Sequence, residues 1–118
     1  MGQYFLIVNE TKKEYLCPHD FGDGLKLMEF ATGGGGTMTG LALLLRQSAT
    51  SEGLGGDYHG DVNDPMLGRW AGDQIVVIGD YCPSGMYNEA EESYTNVSIP
   101  TVLLMTKDKH LREDLKER

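Results

Sequence analysis

The sequence predicts a single α+β domain in which helices pack on a small, mostly antiparallel sheet. Two compact apolar runs, FLIV at residues 5–8 and IVVI at 75–78, are typical of strands. Other segments carry apolar residues at helical spacing. Because 118 residues suffice for one hydrophobic core, we expect one domain over 1–118 with the element order β-β-α-α-loop-β-β-α-α.

The first half of the chain predicts a hairpin followed by two helices. The runs QYFLIVN and EYLCP flank the polar ETKK and form the hairpin strands. Asp23 is expected to cap a short helix that ends at a glycine run, and Thr37 or Thr39 to cap a second, leucine-rich helix. Gly40 costs the second helix about 1 kcal/mol relative to alanine. Either packing demands a small residue there, or the helix starts after it.

The second half begins with a long irregular loop at about 48–68, rich in glycine and without periodicity. Trp70 is expected to begin a short strand, and a turn at Gly72 and Asp73 leads into the IVVI strand. Neither apolar strand alternates, which indicates strands covered on both faces, or at least central ones. The remaining predicted elements are a surface helix over 88–94, a helix over 99–105 capped by Ser98, and a last helix capped by Asp108 with Leu111 and Leu115.

The formal net charge of −8 is concentrated in the middle of the chain. Between residues 47 and 96, nine acids accompany one base, Arg69. Such a surface repels phosphate backbones, so direct nucleic-acid binding is not expected. The chain shows neither a membrane-spanning apolar run nor a signal peptide, which predicts a cytoplasmic protein without membrane association. Cys17 and Cys82 are then expected to remain separate thiols, and the oligomeric state stays open.

The best candidate for a ligand site is a run of four glycines before the leucine-rich helix: Gly33, Gly34, Gly35 and Gly36. Two nucleotide-binding patterns do not fit. Leu41 and Ala42 occupy the lysine and hydroxyl positions of a Walker motif, and the third glycine of the Rossmann pattern is missing. Glycine backbone N–H groups can still converge on an anion, where the helix start adds positive charge and Thr37 and Thr39 add hydroxyls. The alternative is a hinge between two helices.

These observations favour a non-enzymatic binding protein that holds a small anionic ligand, such as a nucleotide or phosphate, without a cofactor. Three further residues are expected to complete the site by hydrogen bonding, charge and stacking: His19, Arg69 and Trp70.

Two other functions are compatible with the sequence. The acidic middle of the chain suits an interaction or regulatory module that docks on a basic partner, as a viral counter-defence protein does. A hydrolase would use His19 with Asp20 or Asp23. The alternating Asp57, His59, Asp61 and Asn63 suggest a metal site, but these residue types also make ordinary solvated loops, so no metal is expected.

Four segments resemble a group of small uncharacterised proteins found in bacteria and their viruses: GQYFLIVN, HDFGDGLKLMEF, GTMTGLALLL and GRWAGDQIVVIGDY. The resemblance covers most of residues 2–81 and implies an intact single domain. It implies no activity, cofactor or binding residue.

Overall fold

The computed structural model describes residues 2–32, 36–47 and 63–106. Within these ranges the chain forms a four-stranded sheet with helices on both faces, which confirms the α+β class. The elements are, in chain order, strand β1 (Phe5–Asn9), strand β2 (Glu14–Leu16), a 3₁₀ helix (Pro18–Phe21), helix α1 (Leu27–Ala31), helix α2 (Thr37–Leu45), strand β3 (Ile75–Gly79), helix α3 (Met86–Ser93), strand β4 (Thr95–Asn96) and helix α4 (Ser98–Thr106).

The sheet is mixed, with strand order β3-β1-β2-β4. β1 pairs antiparallel with β2 and β3, so that Ile7 lies opposite both Leu16 and Val77. These pairings confirm the predicted hairpin and the third strand. β4 instead runs parallel to β2, because the chain crosses over the sheet through α3 before it returns.

The side chains of β1 alternate between two cores. Ile7 belongs to the core that also contains Phe21, Leu44 and Trp70, whereas Leu6 and Val8 pack in a second core beneath α3. Every residue from 6 to 9 is completely buried, so the prediction of a central strand covered on both faces is confirmed for β1.

The same prediction is wrong for β3, which lies at an edge of the sheet. Val77, in the middle of this strand, is 40% exposed. The two apolar runs therefore occupy different places in the sheet: β1 is a central strand covered on both faces, and β3 is an edge strand with apolar side chains.

The predicted strand at Trp70 is also wrong. The chain there turns along the end of α2, where the backbone N–H groups of Gly68 and Trp70 donate to the carbonyls of Leu43 and Leu44. The last carbonyls of a helix lack partners within it. The segment satisfies two of them and so does not extend a sheet.

Two helix starts use other groups than the predicted caps. Helix α1 begins after Lys26, whose backbone N–H donates to the Glu29 carboxylate at 3.1 Å. Ser98 does begin α4, but Asn96 Oδ1 accepts its backbone N–H at 2.9 Å. The Ser98 hydroxyl instead accepts the backbone N–H of Cys17 at 2.7 Å, and so ties α4 to the end of β2.

Gly40 is buried within α2. A Cβ atom at this position would lie 2.7 Å from a ring carbon of Phe21 and 3.0 Å from the methyl group of Thr101. Packing of the 3₁₀ helix and α4 against α2 therefore demands glycine here, and the helix does not start after it.

Several predicted features lie outside the described residues, namely Gly33, Gly34 and Gly35, the part of the loop at 48–62, and the helix from Asp108. In the ranges described, no helix is long and apolar enough to cross a membrane.

Candidate functional site

The start of α2 is bound by a carboxylate of the chain itself. Asp23 Oδ2 accepts the backbone N–H of Thr37 at 2.8 Å and its hydroxyl at 2.7 Å. Gly36, the residue before the helix, has no side chain to cap it, so Asp23 supplies the negative charge that a helix start favours. The predictions that Asp23 caps α1 and that Thr37 or Thr39 caps α2 are therefore wrong.

This contact bears directly on the predicted anion site. Thr37 is completely buried and Gly36 is buried. A phosphate that used the N–H and hydroxyl of Thr37 would have to displace Asp23 and open the packing around it. Thr39, two residues further along the first turn, is partly buried.

The other predicted site residues lie elsewhere. The Trp70 backbone bonds to Leu44 near the far end of α2, which is roughly 10 Å along the helix axis from Thr37. His19 is exposed on the 3₁₀ helix. The structure therefore separates Arg69 and Trp70 from the start of α2.

Arg69 and Trp70 both bind a buried glutamate. Glu14 is 6% exposed, and its carboxylate oxygens accept Arg69 Nε at 3.0 and 3.1 Å and Trp70 Nε1 at 2.8 Å. Arg69 Nη2 makes a further ion pair with it. Trp70 is completely buried, so its ring packs in the core and presents no face for stacking a ligand.

The pKa of Glu14 reflects these contacts. Burial raises it, but the hydrogen bonds from Arg69 and Trp70 and the charge of Arg69 lower it more, so the net pKa is below the usual value. The carboxylate is thus held ionised by two neighbours from the segment that follows α2. We conclude that this cluster fastens that segment to the hairpin.

A second polar contact lies at the other end of the hairpin turn. Asp73 Oδ2 accepts Asn9 Nδ2 at 2.8 Å and pairs with the ammonium group of Lys12. Asn9 is completely buried, and its Oδ1 accepts the backbone N–H of Lys12 at 2.8 Å. Asp73 therefore has a structural role at the start of β3.

A different set of titratable groups gathers on the α3 face of the sheet. We call it the acidic tyrosine face, and its members come from five parts of the chain: Tyr15, Cys17, Asp20, Asp80, Tyr87 and Glu91. The carboxylates of Asp20 and Glu91 are exposed, whereas Tyr15 and Cys17 are partly buried and Tyr87 is buried.

The charges of this face act on the pKa values of its tyrosines. Burial, followed by the charges of Glu91 and Asp80, raises the pKa of Tyr87 to about 12. Burial also raises the pKa of Tyr15, with smaller contributions from Cys17, Glu91 and Asp20. The charge of Glu91 therefore reaches two tyrosines that belong to different elements.

Positive charge is scarce near this face. From residue 70 to 106 the sequence contains no lysine, arginine or histidine. Lys13 does reach the neighbouring Tyr94, with its ammonium nitrogen 5.4 Å from the ring centroid and 3.4 Å from the hydroxyl. This contact is a cation–π interaction within the chain. His19 precedes Asp20, whose carboxylate accepts the side-chain amide of Asn96 at 3.0 Å.

Both cysteines are free thiols that pack against the core beneath α3. Burial raises the pKa of Cys17, whereas the hydroxyl of Ser84, 3.4 Å from Cys82 Sγ, lowers the pKa of Cys82. As for metals, the described ranges contain no group of three or more histidine, cysteine or acidic side chains able to hold an ion. Asp57, His59 and Asp61 lie outside those ranges.

No protein-family model matches the chain, and neither a curated protein nor a solved structure is significantly similar to it. The resemblance to small bacterial and viral proteins therefore stays a prediction.

Proposed function

We propose that the protein is a binding module that holds a cationic segment of a partner protein on the acidic tyrosine face. One observation carries the proposal: the charges of Glu91 and Asp80 act on the buried Tyr87, and those of Glu91 and Asp20 act on the partly buried Tyr15. Residues 70–106, which supply Asp80, Tyr87 and Glu91, contain no lysine, arginine or histidine. Like charges that lie close together oppose folding, and a bound cation relieves this repulsion.

The tyrosines suit lysine or arginine side chains in particular. An aromatic ring attracts the charged group, and the apolar stem of the side chain covers the ring edge. The contact of Lys13 with Tyr94 demonstrates this arrangement within the chain. A partner with several lysines would repeat it beside the carboxylates of this face.

The alternative of a small anionic ligand at the glycine run has less support. Asp23 already binds the N–H and hydroxyl of Thr37, and a negative net charge of −8 opposes the approach of an anion. A hydrolase built on His19 would use Asp20 or Asp23. However, Asp20 accepts a hydrogen bond from Asn96, and Asp23 accepts one from Thr37. These contacts give the carboxylates structural partners.

A titration with a flexible lysine-glycine peptide, followed by calorimetry and NMR, tests the proposal. We expect the peptide to bind at low salt and to shift the ring signals of Tyr15 and Tyr87. Affinity should decrease steeply as the ionic strength increases from about 0.05 M to about 0.5 M, because exposed charges are then screened.

The matched variants are Glu91→Gln and Glu92→Gln, which remove the same charge from adjacent exposed positions of α3. The second points about 100° further around the helix. Glu91→Gln should weaken peptide binding about 3-fold, as expected for one exposed ion pair, and should lower the pKa of Tyr87 from about 12. Equal losses in both variants would show that binding is diffuse and does not use this face.

A further inference from the structure

The backbone groups of β3 alternate in direction along the strand. Asp80 donates its backbone N–H to the carbonyl of Tyr4, and Glu10 donates to the carbonyl of Gln74. Both pairs continue the register between β1 and β3. In an antiparallel ladder, every second residue bonds to the neighbouring strand and the residues between point the other way.

The outer edge of the sheet therefore presents a defined row of backbone groups. Val76 and Ile78 direct their N–H and C=O groups to β1, whereas Ile75 and Val77 direct theirs outward. Gly79 is buried, and its carbonyl accepts the backbone N–H of Cys82 at 3.1 Å. In the part of the chain that the structure describes, no strand pairs with this edge.

The edge also lacks the usual protection against added strands. Natural edge strands carry charges, prolines or bulges that block pairing. The five residues of β3 contain neither a charge nor a proline, and its pairing with β1 runs without a bulge. Val77, at the centre, is 40% exposed.

We infer that this edge takes an extended cationic segment of the partner as a fifth strand; the inference rests on the proposed function. Charge complementarity selects this occupant. A second copy of the chain would bring another net charge of −8 to the edge, whereas a basic segment meets the carboxylate of Asp80 directly after β3. Backbone hydrogen bonds would supply affinity, and alternate side chains specificity.

The two faces of the sheet define the pattern of the segment. Val76 and Ile78 face the core beneath α3, and Val77 faces the opposite side with Ile7. Side chains of an added strand alternate in the same way. The partner segment therefore carries lysine or arginine at alternate positions, on the α3 face, and apolar residues beside Val77.

Amide hydrogen exchange with a synthetic peptide of alternating lysine and valine tests the inference in the unmodified protein. At saturation, exchange at Ile75 and Val77 should slow by ~10-fold or more, because their N–H groups become hydrogen-bonded. Exchange at Val76 and Ile78 should change little. A peptide of alternating glutamate and valine should leave all four amides unchanged.

A pair of variants tests the same row of groups. Val77→Pro removes one outward N–H without removing a bond to β1 and should weaken binding by ~10-fold, while Val77→Thr, which keeps the N–H, should bind normally. If Val77→Pro does not fold, the exchange measurement on the unmodified protein decides.

Three results would overturn the inference. Shifts at Tyr15 and Tyr87 without new amide protection would leave the proposed function standing but remove the added strand. Absence of any shift would remove the proposed function as well. Protection at Val77 that increases with protein concentration in the absence of peptide would show that a second copy covers the edge.

Discussion

At the scale of single residues, Gly40 shows how one missing side chain lets three elements meet. It lies in α2, where a Cβ atom would come within 2.7 Å of Phe21 on the 3₁₀ helix and 3.0 Å of Thr101 on α4. Glycine lowers helix propensity by about 1 kcal/mol relative to alanine. The close approach of the three elements offsets that loss.

Replacing Gly40 with alanine should therefore destabilise the protein although it favours the helix. We expect Gly40→Ala to lower the free energy of unfolding by about 1 to 3 kcal/mol, the usual cost of overpacking a core. Ala42→Gly is the control. It changes helix propensity at an exposed position of α2 and should lower the free energy of unfolding by about 1 kcal/mol. Urea unfolding measures both. A more stable Gly40→Ala variant would contradict the packing argument.

At the scale of elements, α2 has a charged cap from a distant part of the chain. Asp23 lies 14 residues before Thr37 and binds it through two hydrogen bonds. The same carboxylate joins the segment after the 3₁₀ helix to the start of α2. Losing it would affect both the helix start and the path of the chain that precedes it.

Asp23→Ala should lower the free energy of unfolding by about 1 to 2 kcal/mol, which is typical for loss of a helix cap. The variant also leaves the Thr37 N–H and hydroxyl without their carboxylate. Inorganic phosphate should leave the melting temperatures of Asp23→Ala and of the unmodified protein unchanged, because Thr37 is completely buried. An equal increase in both proteins would instead support the anionic-ligand alternative.

Local patterns predicted most of these elements but not their contacts. The hairpin, β3 and α2 follow from apolar runs and helical spacing. β4 has two exposed polar residues, Thr95 and Asn96, so no pattern marks it. Trp70 has high strand propensity, yet its backbone bonds to α2 and its ring to Glu14.

The candidate site depended on tertiary structure even more. The absence of lysine, arginine and histidine from residues 70–106 was visible in the sequence. The action of Glu91 on both Tyr15 and Tyr87 was not, because it arises only when α3 crosses the sheet. Similarly, no local pattern indicates that Asp23 binds a residue of α2.

At the scale of the whole molecule, Glu14 joins the hairpin to a segment 55 residues later in the chain. Its pKa in the folded state lies below the unfolded value of about 4.5. The stabilisation is therefore fully present above pH 4.5 and is lost as the pH falls through the folded-state pKa. Protonation of Glu14 weakens the hydrogen bonds that its carboxylate accepts from Arg69 and Trp70.

Glu14→Gln should lower the free energy of unfolding at pH 7 by about 2 kcal/mol, as for loss of hydrogen bonds to a buried charged group. The variant should also lose less stability than the unmodified protein between pH 5 and pH 3, roughly the range in which carboxylates titrate. Glu10→Gln on the same hairpin is the control and should follow the unmodified protein. Urea unfolding across this pH range measures the difference, and parallel curves for all three proteins would refute the role of Glu14.

The strand order also places residues that are far apart in the sequence in contact, which affects how the chain folds. The β1–β2 hairpin is local, but β3 joins it only after more than half of the chain, and Ser98 reaches Cys17 across 81 residues. Contacts of such long range slow folding because loop closure precedes any gain from pairing. During synthesis, the hairpin would leave the ribosome with both flanks open. The core beneath α3 could close once α3 emerges, whereas the core that contains Met105 would close only after α4.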